Sequence, residues 1–276
     1  MRPTTVEDVL NALRDLPSVP ALVSELLADL DPDEVDLSKL AARLGRDPAL
    51  VSKVLRVANS PFYGLAGRVQ SLQEAATVIG LRSLRSVILA ASMSQALRGS
   101  GAVAAATDGF WREALASAVC CRALAGGRGA AAEHAFVAGL LHGLGRLALC
   151  VGMPDQQAAI SAYCDARRCD WASAAAELEL PHYAAIGEAL AVRWHFPPSL
   201  VRAIAQHAAP PADADLLVRI VHVADVIARC NAVASGELEQ VGFIDEPSLR
   251  LMLSAPDRMC EAWRSLRSAM TMESYL

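Results

Sequence analysis

The stretch from Glu133 to Gly152, EHAFVAGLLHGLGRLALCVG, constrains this chain most. It is almost wholly apolar, yet it sets His142 and Arg146 one helical turn apart. Polar groups inside so hydrophobic a run need partners, so they mark a constellation rather than a stray surface. With its internal charges and three glycines in the run from Gly139 to Gly145, the stretch is expected to be a buried central helix, Ala131–Val151, rather than a membrane span.

Composition supports a helical reading around it. Hydrophobic residues make up 54% of the 276 residues and aromatics only 5%. Alanine and leucine enter helices at little cost, and long β-branched alternations are missing. The expectation is an all-α chain of about a dozen helices in two lobes. Residues 1–100 would form an N-terminal helical lobe, 109–232 a second lobe and 233–276 a helical extension. The Gly/Ala/Ser-rich run Gly99–Asp108 is taken as the flexible joint.

Local signals punctuate the pattern. Thr5 with Asp8 and Ser71 with Glu74 read as helix starts, and Gly80 as a stop. LPSVP (Leu16–Pro20) reads as a stiff turn, because each proline fixes its own φ and disfavours helix just before itself. Further helices are expected at Ala21–Leu30, Leu37–Leu44, Glu246–Ser254 and Asp257–Met272.

Charge is segregated. Met1–Ser38 carries two Arg against nine acids, and Lys39–Arg98 nine Lys plus Arg against Asp47 and Glu74, within a net charge of −5. The segment Leu37–Leu55 superficially reads as a helix-turn-helix, with Arg46, Lys53 and Arg56 toward phosphates. Its second helix lacks the Asn/Gln/Arg set of direct base readout, so two packed helices are the preferred reading and nucleic acid is not an expected partner. Seven cysteines without a CxxC point to reduced thiols in a cytoplasmic protein. No P-loop, GxSxG or HExxH is present.

Histidines and carboxylates spread over several helices, Glu113, His142, His182, His207 and Asp225, are the remaining candidate chemistry. Such sets can hold a catalytic metal, or can form a satisfied buried network. Spacing alone does not choose between them.

An ordered series of segments then resembles the HDOD (HD-related output domain) family of bacterial signalling proteins: LPSVP, RDPALVSKVLRVANSPFYG, VQSLQEAATVIGLRSLRSVIL, FWREALASA, AFVAGLLHGLGRLAL and VHVADVIA. The resemblance implies a C-terminal lobe similar to HD phosphohydrolases, which bind metal through an early His, a His-Asp pair and a later Asp. In this chain those positions are Glu113, His142-Gly143 and Asp225, so the aspartate of the pair is missing. His182 and His207 fall near positions of additional ligands.

The resemblance therefore implies a degenerate site with no bound metal or other cofactor and no catalysis. The expected function is a signal-transduction module acting through protein partners. A receptor for a small ligand, such as a nucleotide second messenger meeting Arg146, is the alternative, and a residual phosphohydrolase the third reading. Phe62 and Tyr63 in the NSPFYG loop are the candidate partner surface.

Overall fold

The computed structural model describes residues 4–13, 48–59, 69–96, 102–126, 129–234 and 257. The regular elements among them are all helical. They are α1 (Val6–Ala12), α2 (Pro48–Ala58), α3 (Leu72–Ile79), α4 (Leu81–Ala96), α5 (Ala102–Leu124) and α6 (Ala130–Leu141). α7 (Leu144–Gly152), α8 (Pro154–Arg167), α9 (Trp171–Glu177), α10 (Tyr183–Arg193), α11 (Pro198–Gln206) and α12 (Leu216–Ala234) complete the series. The all-α class expected from composition is the one that forms. Four expected helices, Ala21–Leu30, Leu37–Leu44, Glu246–Ser254 and Asp257–Met272, lie outside the described residues apart from Asp257, as do Phe62 and Tyr63.

The start signals act as their chemistry requires. Thr5 Oγ1 accepts from Asp8 N while Asp8 Oδ2 accepts from Thr5 N, a reciprocal cap at the head of α1. Ser71 Oγ accepts from Glu74 N at 3.1 Å, and the Glu74 carboxylate reaches back one residue further, to Gln70 N at 2.7 Å. α3 ends at Gly80, whose φ of 85° suits a residue without Cβ.

Two expectations are corrected. Residues 102–108 are not a flexible joint but the first turns of α5. Their sequence AVAAATD is rich in the best helix former, and the two glycines of the expected link lie before Ala102. The central apolar helix is also broken, at His142-Gly143, into α6 and α7. His142 Nδ1 lies 2.6 Å from Gly139 O, so the side chain takes the carbonyl that the Gly143 amide would use in a continuous helix. By length and hydropathy Ala130–Gly152 does qualify to cross a membrane, contrary to the expectation from its charges and glycines, but 83% of its most apolar window is buried inside the protein.

α2, α3 and α4 pack on one another, and α5, α6, α7, α10, α11 and α12 form a second assembly. α4 joins them through α6. Glu133, buried on α6, accepts from Ser83 Oγ at 2.9 Å and Ser86 Oγ at 2.8 Å, both on α4, and faces Arg122 Nη1 of α5 at 3.8 Å. α1 packs on α7 and α10, with Leu13 against Gly152 and Arg193 Nη1 donating to Leu10 O at 3.2 Å. The α7–α10 contact is backbone on backbone: a Cβ on Gly145 would stand 1.8 Å from Tyr183 O and 2.8 Å from Gly187 N.

Candidate functional site

The break between α6 and α7 places His142 at the centre of the second assembly. α12 brings Asp225, and the end of α11 brings His207. All three are buried, and one ligand atom from each lies within 4.8 Å of the others.

Hydrogen bonds define the state of each group. His207 Nδ1 donates to the carbonyls of Ala203 (3.1 Å) and Ile204 (3.0 Å), which leaves Nε2 to accept from the Tyr183 hydroxyl at 3.2 Å. Burial, reinforced by nearby His142, pushes the His207 pKa down to about 3, so the ring is neutral at physiological pH. His142 Nε2 stands 3.2 Å from Asp225 Oδ1, a contact that is a hydrogen bond only with a proton on that nitrogen. Asp225 Oδ2 lies 2.6 Å from Arg229 Nη2 one turn along α12. Burial opposes ionisation of Asp225, but the Arg229 guanidinium and His142 outweigh it and hold the carboxyl well below the usual range.

Glu113 stands apart from the three. Its Oε1 is 3.0 Å from Arg146 Nη1, so α5 and α7 are joined by an ion pair at the edge of the cluster. His182 does not join it either. It caps α10, with Nδ1 accepting from Ala184 N at 3.1 Å, and stacks on Tyr183 with centroids 4.6 Å apart. Burial lowers the His182 pKa, against the pull of Asp170.

Two imidazoles and a carboxylate are suitable donors for a divalent metal of the HD type. Their surroundings do not suit an ion. Arg229 covers one oxygen of Asp225, and Tyr183 covers the free nitrogen of His207. At Gly143, where the pair's aspartate would stand, a Cβ would lie 2.8 Å from Phe110 Cε2, so an aromatic ring fills the place of the missing ligand. The residues present do not fit an ion held in the HD manner.

Beside the cluster is a cavity of about 130 Å³. It is bordered by His142, Arg146, Asp225 and Arg229, and by Trp171 and Tyr183, whose rings meet edge to face at 5.1 Å. Arg229, Tyr183 and Trp171 were missed by sequence reasoning. Arg229 alone left a signal, a cation four residues beyond Asp225 in an apolar helix.

A model of the HDOD domain matches residues 16–210. The chain belongs to the HDOD family. This HDOD chain is similar in structure to a candidate phosphohydrolase from Shewanella amazonensis SB2B, at 26% identity and a TM-score of 0.72, over 98% of each chain. It shares its fold with a candidate signal transduction protein from Marinobacter aquaeolei VT8, at 19% identity and a TM-score of 0.73, over 98% of this chain and 65% of that one. An uncharacterized protein of Treponema pallidum (strain Nichols) is 26% identical over 205 residues, 72% of this chain. The alignment covers 39% of that protein, so the HDOD chain spans about two-fifths of the curated relative it matches.

Proposed function

We propose that this HDOD chain is a non-catalytic signalling module that works by contact with other proteins, its HD-type centre having become a structural polar core. One observation carries the reading. Both carboxylates at the positions implied for metal are held by guanidinium groups, Asp225 by Arg229 and Glu113 by Arg146. A fixed cation beside each carboxylate supplies the countercharge that a metal would bring and repels a second cation. With Gly143 in the pair, no carboxylate is left there to orient a nucleophilic water. The phosphohydrolase description belongs to the Shewanella protein, and its transfer to this chain would require that pairing to be undone.

The test is metal content of protein purified without chelator, joined to a phosphodiesterase assay in Mn²⁺ and Mg²⁺. The reading expects neither metal nor turnover. Stoichiometric metal with turnover, both lost in His142→Ala and Asp225→Ala, would replace it with a divergent hydrolase.

A second reading is a receptor for a small ligand such as a nucleotide, with Arg146 and Arg229 beside a cavity that has room for its phosphate and leaves the remainder of the ligand outside. Calorimetric titration with cyclic dinucleotides, repeated on Arg146→Gln, separates the two readings. The cytoplasmic setting expected from the cysteines, and Phe62 and Tyr63 as residues that contact a partner, belong to the same proposal.

A further inference from the structure

Three helices of the second assembly and its flank end on a left-handed residue: Arg168 after α8 (φ 52°), Glu179 after α9 (φ 55°) and His195 after α10 (φ 56°). Such a residue folds the chain back over the last turn, so that the next residue meets the one five positions earlier. The hydrogen bonds show this twice. Leu180 N donates to Ala175 O at 2.8 Å, and Phe196 N to Ala191 O at 2.9 Å. After α8 the residues at these positions are Cys164 and Cys169: the left-handed turn at Arg168 carries the chain back in the same sense, without that hydrogen bond.

Both of these cysteines pack against the core, and both border the cavity beside Arg146 and Arg229. Both are half-buried, within reach of a small reagent. The other described cysteines differ. Cys120, Cys121 and Cys150 are buried, and burial pushes Cys120 up to about 12 and raises the other two as well. A thiol held protonated in apolar surroundings is a poor nucleophile, so among the described cysteines reactivity concentrates at the cavity wall.

We propose that Cys164 and Cys169 are a redox-active dithiol that a hydroperoxide closes to an intrachain disulfide. One sulfur, as thiolate, attacks the peroxide oxygen. The O–O bond breaks, hydroxide leaves and takes up a proton, and the sulfur becomes a sulfenic acid. The second sulfur attacks it, the S–S bond forms, and the sulfenic oxygen departs as water. Two thiols and one hydrogen peroxide thus give one disulfide and two waters. The bond would fasten the last turn of α8 to the segment leading into α9. Asp165, Asp170 and Trp171 of the cavity wall lie on or beside that segment, and Asp170 caps α9 through Ser173 N at 2.7 Å. Oxidation would therefore stiffen one side of the cavity.

Arg167 and Arg168 lie between the two cysteines, so trypsin separates them unless sulfur holds the peptides together. The experiment treats the reduced full chain, freed of reductant, with a few equivalents of hydrogen peroxide and maps its peptides without reduction. The expected result is a Cys164–Cys169 cross-linked pair, reversed by dithiothreitol, with Cys120, Cys121 and Cys150 still alkylated after denaturation. In Cys164→Ser and Cys169→Ser the surviving thiol stops at a sulfenic acid that dimedone traps. Full alkylation of both residues after peroxide overturns the proposal. So does oxidation of either without a bond between them, including one to another cysteine.

Discussion

Arg229 Nη2 lies 2.6 Å from Asp225 Oδ2, with the two side chains one turn apart on α12 and the aspartate side chain 4% exposed. Such a pair is costly to break from one side, because the partner is left as a lone buried charge. Arg229→Met is expected to lose roughly 3–5 kcal/mol in urea unfolding, within the range for an orphaned buried ion. Asp225→Leu combined with Arg229→Met should lose less than Arg229→Met alone. A loss in the double variant equal to the sum of the Asp225→Leu and Arg229→Met losses would show that the two residues are not coupled.

Gly143→Asp would rebuild the missing member of the His-Asp pair by sequence. The Phe110 ring stands in its way at 2.8 Å, so the variant is expected to lose about 1–3 kcal/mol by overpacking and to recruit no metal. Thermal melting with and without Mn²⁺ checks both parts. A melting temperature raised by Mn²⁺ would mean that the site still accepts its ion.

His207 makes stability depend on pH in a defined window. Its folded value is about 3, and an unfolded histidine titrates near about 6.5. Between those values the unfolded chain binds more protons, so stability is full above the upper value and falls as pH drops toward the lower one. His182 contributes in the same direction. Asp225, depressed in the folded state, loses its contribution only as pH falls through and below the ordinary carboxylate range. Melting temperature should therefore fall from neutral pH down toward the carboxylate range, and His207→Leu should flatten that slope whatever its effect on stability at neutral pH.

Gly145→Ala tests the close approach of α7 to α10. A methyl group 1.8 Å from Tyr183 O cannot be absorbed by a side-chain movement, since the obstacle is backbone. The change forces α7 and α10 apart, and a loss at or above the upper part of the roughly 1–3 kcal/mol range for overpacking is expected. Denaturant unfolding at neutral pH measures it.

Local signals were legible where one residue does one job. Thr5, Ser71 and Gly80 could be read as helix ends because a hydroxyl cap and a positive φ each depend on a single residue. The break at His142 could not, because it depends on a side chain taking a main-chain carbonyl inside a run whose apolar pattern continues through it. The start of α5 was hidden because alanine occurs in links as readily as in helices. At the site, the resemblance brought His142, His207 and Asp225 to one place, and they do meet. Glu113 and His182 went elsewhere, one to Arg146 and the other to a helix cap. Ion pairs and caps made across helices leave no spacing to read.

The seating of α1 bears on how the molecule is assembled in time. The hydrogen bond from Arg193 to Leu10 spans 183 positions. Among the described residues α1 is seated on α7 and α10, which are made long after it, and until then Val9 and Leu13 lack the apolar cover that those helices give. Closure of α1 over Gly152 is then a late, long-range event, slowed by the loop that must be gathered first. During that interval the nascent chain carries a sticky, unseated helix.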